Sequence, residues 1–375
     1  MRFLAFNWRD PHHPEAGGAE VHLHEILRRF VARGHEVTQL ASGFPGGAAE
    51  EVVDGVRVLR RGTWYNANWA LRRAYERELA QIDFDLVLED INKVPFFTPA
   101  FVRRPVLAVV PHLFGTAVFT EASWPLAAYV YAHELLIPRV YRRTPFLVIS
   151  ESTRADLVAR GLPAEQIRVV PVGVDHGTYF PDPEVPKSTI PLIVHLGRIR
   201  RYKGIQSLVE VMPAVRARVP EAELWVVGTG PYAPALARRA RGVAGVRLLG
   251  HRPQAEVVDL LRRAWVVASA SVKEGWGLTM IEANACGTPV VATRVPGLVD
   301  AVIDGETGLL VPFGDREALA GALVTVLEDG ELRQQLADGA RRFAQSFTWE
   351  RAAEEAWALV ESVLEQARLG ARVGR

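Results

Sequence analysis

Cysteine is all but absent from this sequence: Cys286 is the one thiol among 375 residues. That excludes an intrachain disulfide framework and a cysteine-rich metal site, and it fits a reducing compartment. Long hydrophobic runs are missing too. No stretch reaches the ~18 apolar residues that a membrane span needs, and the opening "MRFLAFNWRD" is apolar too briefly for a secretory signal. Neither sign of charge dominates: 44 basic and 43 acidic residues leave a net +1, so no global field argues for nucleic acid. Lysine is scarce as well. Lys93, Lys187, Lys203 and Lys273 are the only four, and the other 40 basic residues are arginine. Where arginine fills ordinary surface positions, a retained lysine is slightly marked out for its compact ammonium. These absences predict a cytoplasmic globular protein.

What is present is an alternation of short apolar strands and amphipathic helices over a length that suggests two domains. Phe3–Phe6 reads as a strand. Residues 18–32 carry a helical stripe of Val21, Leu23, Ile26, Leu27, Phe30 and Val31, Gly34 caps its end, and "HEVTQLA" returns as a strand. Such βαβ units imply a parallel sheet with helices on its faces. Four prolines within "PDPEVPKSTIP" (181–191) predict a stiff, exposed linker. The alternation restarts beyond it and closes on a long amphipathic helix. The expected division is 1–180 together with the helix at about 349–375, and 181–348. Open parallel sheets bind ligands at the carboxyl ends of their strands, so motifs that follow strands are the candidates for chemistry.

Three such motifs stand in the second half. "HLGRIRRYKG" (195–204) places Arg198, Arg200, Arg201 and Lys203 between a strand and a helix N-terminus, an arrangement that suits a phosphate or diphosphate; a solvated basic loop is the equal alternative. "VVGTGP" (226–231) lacks the full dinucleotide fingerprint and reads as a tight turn. "SVKEGWGLTMIEANACGTPVVAT" (271–293) is the most informative. Gly275 and Gly277 let a ligand approach the backbone. The amides of Leu278 and Thr279 point out of a helix N-terminus. Glu274 and Glu282 can accept hydrogen bonds from sugar and ribose hydroxyls. In the first half, Gly17 and Gly18 stand between the first strand and its helix. "DFD" (83–85) imitates a D-x-D metal motif but precedes a strand instead of following one, so it reads as a polar strand entry.

The E-x7-E pattern of Glu274 and Glu282 within "EGWGLTMIEANACGTPVVAT" resembles glycosyltransferase family 4. "GRIRRYKG", "GLVDAVIDGETGLLVPFGD", "VISESTRADL", "VVPVGVDHGTYFP" and "GGAE" extend the resemblance over most of the chain. It implies the GT-B fold: two Rossmann-like βαβ domains facing across a cleft, an N-terminal acceptor-binding domain and a C-terminal donor-binding one, with the last helix crossing back to the first. It implies a retaining hexosyl transfer from a UDP-, GDP- or ADP-sugar to a hydroxyl acceptor, with no metal and no cofactor. By that resemblance Gly17 and Gly18 lie against the donor, and Arg198 and Lys203 neutralise its diphosphate. Glu274 contacts the sugar, Glu282 holds the ribose, and His251 and Arg252 in "LGHRPQ" lie at the base. Gly275, Gly277, Leu278 and Thr279 complete the donor site, and His112 in "VVPHLFG" is the active-site histidine. Catalysis is expected of His112, Arg198, Lys203 and Glu274.

Pro296–Gly297 replaces the usual glycine pair, and Asp300 stands where glutamate is common. Glu89, Asn92, Lys93, Thr116 and Glu121 are candidates for the acceptor side. Residues 124–143, "WPLAAYVYAHELLIPRVYRR", read as a buried helix of the first domain, with peripheral contact to the inner face of a membrane as the alternative. A nucleotide-sugar 2-epimerase of the same fold and a non-catalytic sugar-nucleotide binder are the rival functions. A dinucleotide-dependent oxidoreductase fails for want of the glycine fingerprint.

Overall fold

Runs such as "RFLAF", "LVLED" and "VLAVV" carry apolar side chains at successive positions, so both faces need cover, which is the situation of a central parallel strand. In the computed structural model, which describes residues 1–373, these runs are central strands. The strands are β1 (Arg2–Phe6), β2 (Glu36–Ala41), β3 (Glu50–Val53), β4 (Val56–Arg60), β5 (Leu86–Asp90), β6 (Val106–Val110), β7 (Phe146–Val148) and β8 (Ile167–Val169). They form one sheet in the order β3-β4-β2-β1-β5-β6-β7-β8, parallel throughout except where β3 pairs with β4. A second sheet takes β9 (Leu192–Leu196), β10 (Glu223–Val227), β11 (Val246–Gly250), β12 (Val266–Ser269), β13 (Val290–Thr293) and β14 (Gly308–Val311) in the order β11-β10-β9-β12-β13-β14, all parallel.

Each sheet is doubly wound. In the first, the chain runs outward from β1 through β2 to β4, then crosses back to place β5 on the other flank of β1. In the second it runs from β9 to β11 and crosses back to β12. The order therefore reverses between β1 and β5, and between β9 and β12. At such a point the connecting chains leave in opposite directions and a crevice opens at the carboxyl edge.

The described chain divides into two compact units. One comprises Met1–Val118, Ser123–Gly173 and the C-terminal helix from Trp349; the other comprises Phe119–Ala122 and Val174–Thr348. The break lies at Val174, ahead of the proline-rich stretch, because Val174 pairs with Thr348 and donates its N–H to Phe347 O (3.2 Å). The stretch expected to be a free linker is strapped to the second unit. Ser188 N donates to Arg263 O (2.9 Å), Trp265 Nε1 to Ser188 O (2.8 Å), and Lys187 Nζ to Thr288 Oγ1 (2.7 Å).

The last helix, Trp349–Val373, packs in the first unit; Gly374 and Arg375 of the expected helix lie outside the described residues. Its Trp357 stacks on His35 (ring centroids 4.6 Å, 9° between planes) and meets Phe30 edge-on at 5.3 Å. The buried-helix reading of 124–143 fails over its first half, whereas Ile137 and Tyr141 in the second are fully buried. In the helix Trp124–Glu134 only Ala127 and Glu134 are buried, and Trp124 and Tyr129 are 74% and 48% exposed. The stretch is apolar on every side, so one layer of contacts leaves most of it uncovered.

Removing the aromatic wedge at the C-terminal helix leaves Phe30 and His35 facing a hole. Trp357→Ala should destabilise the first unit by about 2–3 kcal/mol, measured as a lower urea midpoint. An unchanged midpoint would show that the helix adds nothing to that core.

Candidate functional site

The switch point of the second sheet brings together the basic motif after β9 and the glutamate motif after β12. After β9 the chain turns through Gly197, forms a short turn at Arg201–Lys203, and starts the helix Ile205–Arg218 at Gly204. Gly204 has φ +64°, and a Cβ there would overlap the carbonyl of Ala270, which follows β12. The glycine thus lets the two switch-point loops touch. Val272 N donates to Tyr202 O (2.8 Å) and completes the seam.

Across that seam Lys203 Nζ lies 2.7 and 2.8 Å from the two carboxylate oxygens of Glu274, and Ser271 Oγ donates to Oε1 at 2.6 Å. The side chains of Lys203 and Glu274 are 18% and 14% exposed. Burial opposes the charge on Lys203, but the carboxylate of Glu274 outweighs it and holds the ammonium above the usual lysine range. Arg198 is exposed, near enough for its charge to act on Lys203. The second unit thus presents an ammonium fixed by Glu274 and an exposed guanidinium at one strand-end crevice.

Glu274 and Gly275 lead to Gly277, which caps the helix Leu278–Ala285. Met280 N returns to Gly277 O (2.8 Å), while the amides of Leu278 and Thr279 have no acceptor among the described residues, as first-turn amides do not. Gly297 has φ +85°, and its Cβ would overlap the carbonyl of Glu274, so the Pro296–Gly297 turn presses on the glutamate loop. Asp300 accepts from Gly297 N (3.2 Å), which gives this departure from the family pattern a capping role.

Glu282 follows Leu278 by one helical turn and so shares its face. It lies close enough to Tyr179 for each to act on the other's ionisation, and burial raises its pKa to about 7. Tyr179 also neighbours Gln254, so it stands between the "LGHRPQ" loop and the E-x7-E helix. His251 is exposed on that loop, and Arg252 points toward Glu256 at 3.7 Å. Sequence reasoning missed Tyr179, although "VDHGTYF" contains it. It also missed His195, whose Nδ1 bonds Ala268 O (2.9 Å) across the switch point, and whose burial lowers its pKa to about 4, so the ring is neutral. "VVGTGP" is a structural turn here: Ile199 N donates to Thr229 O (2.7 Å) and Tyr232 N to Ile199 O (3.1 Å).

The first sheet carries its own cluster at β1 and β5. Gly17 is the N-cap of the helix Gly18–Ala32, and its N–H donates to Glu20 Oε2 (2.8 Å). Glu20 Oε1 accepts from Lys93 Nζ (3.0 Å), and Asn92 Nδ2 lies 3.0 Å from both Asp90 Oδ2 and Asn7 Oδ1. His112 stands just beyond β6, half-buried, with its ring edge-on to Phe114 at 5.1 Å. Two acceptor-side candidates are engaged elsewhere. Glu89 is fully buried and takes the amides of Phe96, Phe97 and Thr98 and the Tyr141 hydroxyl, a structural knot. Glu121 accepts from Tyr202 N. Thr116 is exposed. In "DFD", Asp85 accepts Arg2 N (2.7 Å) and Asp83 pairs with Arg104.

Comparison with known proteins agrees with this architecture. A family model described as Glycosyltransferase Family 4 matches residues 16–178, and one described as Glycosyl transferases group 1 matches residues 190–329. Sucrose-phosphate synthase from Thermosynechococcus elongatus superposes with a TM-score of 0.84 at 23% identity, over 98% of this chain and 100% of that one. Anabaena HepE, solved in complex with UDP-glucose, superposes with a TM-score of 0.75 at 21% identity, over 96% and 100%. Glycogen synthase of Mycobacterium tuberculosis (strain CDC 1551 / Oshkosh) is 27% identical, over 93% of this chain and 92% of its own. The two doubly wound units are those of the GT-B fold. The chain belongs to glycosyltransferase family 4 and is a glycosyltransferase.

Lys203 and Glu274 stabilise each other's charge, so breaking the pair from one side strands the other. Lys203→Met should cost about 2–3 kcal/mol, below the full buried-pair penalty because both groups keep some solvent. The double variant Lys203→Met/Glu274→Gln should recover part of that loss in thermal melts. Equal melts for wild type and Lys203→Met would show that the pair is not coupled.

Proposed function

We propose that the enzyme transfers a hexosyl group from a UDP-, GDP- or ADP-sugar to a hydroxyl acceptor, with retention at the anomeric carbon and without a metal or other cofactor. The observation that carries this reading is the Lys203–Glu274 pair at the β9/β12 crevice, next to the open amides of Leu278 and Thr279. A departing nucleoside diphosphate builds negative charge as the glycosidic bond stretches. An ammonium fixed by Glu274, the guanidinium of Arg198 and helix-end amides are donors already aimed at that charge, so little reorganisation is needed as it develops. HepE was solved with UDP-glucose, which supports a nucleotide sugar as donor.

In this reading Glu274 does two jobs: it orients Lys203 and accepts sugar hydroxyls. Its oxygens are already engaged by Lys203 and Ser271, which weakens it as a nucleophile. That favours a front-face route in which a leaving phosphate oxygen takes the proton of the attacking hydroxyl; a trapped glycosyl–enzyme adduct would contradict it. Gly17 and Gly18 are assigned to the donor, His112 to the reacting centre, and His251 and Arg252 to the base. Glu282 holds the ribose. The acceptor binds the first unit. An epimerase of the same fold would release isomerised sugar without an acceptor, and an acceptor-dependent release of nucleotide separates the two.

The donor reading makes a pH-resolved prediction. Ribose hydroxyls donate to the carboxylate form of Glu282, so binding favours its ionised state. With its pKa near 7, affinity for the donor should rise as pH rises through about 7 and level off above. A nucleotide sugar, whose diphosphate has no ionisation near neutrality, is the ligand to use. In a thermal-shift panel of UDP, GDP, ADP, TDP, CMP and NAD, one diphosphate should raise the melting temperature equally with and without magnesium. A ligand at 100 times its Kd adds ~2.7 kcal/mol. The matching nucleotide sugar should show the pH slope, and Glu282→Gln should abolish it. A shift by NAD alone, or none by any nucleotide, would contradict the reading.

A second observation favours peripheral membrane contact from the cytoplasmic side. Trp124, Leu126, Tyr129, Leu135 and Leu136 are exposed, and Arg139, Arg142 and Arg143 follow them, also exposed. Aromatic and apolar groups beside arginines suit the interface of an anionic bilayer. No helix among the described residues is long and apolar enough to cross a membrane. Flotation with phosphatidylglycerol liposomes should recover the protein at low salt, and Trp124→Ser/Tyr129→Ser should release it. Absence from the lipid fraction at low salt would remove this contact.

A further inference from the structure

The polar cluster at the β1/β5 switch point does more than cap a helix. In register, Phe6 of β1 faces Glu89 of β5, so Asn7 and Asp90 leave their strands side by side at the carboxyl edge. Glu20 reaches down from the helix Gly18–Ala32, and Asn92 and Lys93 close the ring from the loop after β5. Asn7, Glu20, Asp90 and Asn92 are buried, whereas the Lys93 side chain is 27% exposed and is the cluster's outlet to solvent. Two buried atoms have no partner: Asn7 Nδ2, an amide donor, and the carboxyl oxygen Asp90 Oδ1. Buried polar atoms are nearly always satisfied, so a ring this dense with two open valences is built around something that still has to bind or rearrange.

The charges narrow the class of that ligand. Lys93 faces Glu20, and Arg9 faces Glu15. Burial and the neighbouring Glu20 push the Asp90 carboxyl well above the usual carboxylate range. Each of these cations is matched by an anion, with amide groups and the Asp90 carboxyl in surplus, and the cluster offers a phosphate no excess of positive charge. Hydroxyl groups, which both donate and accept, fit this mixture. The second sheet has the same device, a lysine–glutamate pair at its own switch point, but there arginines shift the balance toward cations.

We propose that Lys93, Asn92 and Glu20 form the hydroxyl-binding subsite of the acceptor and take a neutral polyol such as a sugar ring. Asp90 and Asn7 support it from beneath. This rests on the reading that the enzyme glycosylates a hydroxyl acceptor. Lys93 donates to one hydroxyl oxygen and Glu20 accepts from a neighbouring one, and because Glu20 also holds Gly17 N, occupancy is transmitted to the glycine turn.

The scarcity of lysine makes this testable. A full-length protein with isotope-labelled lysine gives four side-chain NMR signals, and Lys93→Arg assigns Lys93 by its disappearance. Methyl α-D-glucopyranoside and myo-inositol should move the Lys93 signal, while UDP, GDP or ADP should move that of Lys203. Lys93→Met should weaken polyol binding about tenfold, the loss expected when a charged hydrogen bond is removed. A Lys93 signal that responds to none of the polyols, or to glucose 6-phosphate alone, overturns the proposal. A Lys203 signal silent to every nucleoside diphosphate would instead overturn the donor reading.

Discussion

The central strands of both sheets are parallel to their neighbours and buried on both faces, and that single constraint decides where chemistry can occur. A strand covered on both sides carries Val, Leu, Ile and Ala along its length, as β5, β6, β12 and β13 do. Polar side chains are pushed to the strand ends, and because βα connections leave from the carboxyl ends, the glycine turns, helix N-termini and loops gather there. The reversals between β1 and β5 and between β9 and β12 then select one place on each edge. Lys93 with Glu20 and Lys203 with Glu274 stand at these two places.

The pairs do their work through mutual restraint. A lone lysine at either position would lose charge to burial or swing into solvent. Facing a carboxylate, Lys203 holds its charge more firmly than a free lysine, while at Lys93 burial still outweighs Glu20 and draws the ammonium below the usual lysine range. The Ser271 hydroxyl and the close backbone approaches at Gly204 and Gly297 fix one pair. The Gly17 amide and Asn92 fix the other. The cost of holding polar groups in place is met when the loops fold and not when substrate arrives, which is the logic of a preorganised electrostatic site.

Much of this was legible in the sequence, and the exceptions have physical causes. The long, strongly patterned elements read correctly: the central strands, the helix 18–32 and the C-terminal helix. The three-residue β8 and the acidic edge strand β3 were too short to show a period. The helix Gly330–Ala344 was hidden by its two glycines; Gly339 packs against the carbonyl of Glu306, where a Cβ would not fit. Motif residues Arg198, Lys203, Glu274 and Glu282 fell in one unit because their motifs follow strands. The partners within that unit were not readable. Lys203 and Glu274 are 71 positions apart, and Tyr179 reaches Glu282 from a loop that carries no pattern of its own. Glu89 misled for the converse reason: an acid at a strand end reads as a site until the loop amides that surround it are seen.

The central claim is that the β9/β12 crevice receives the donor's diphosphate. A crystal structure of the protein with the nucleoside diphosphate that stabilises it tests this most directly. The account predicts phosphate oxygens at Lys203 Nζ, Arg198 and the amides of Leu278 and Thr279, with the ribose on Glu282. A diphosphate bound away from Lys203 and this helix end, or held by carboxylates through a metal ion, would contradict it.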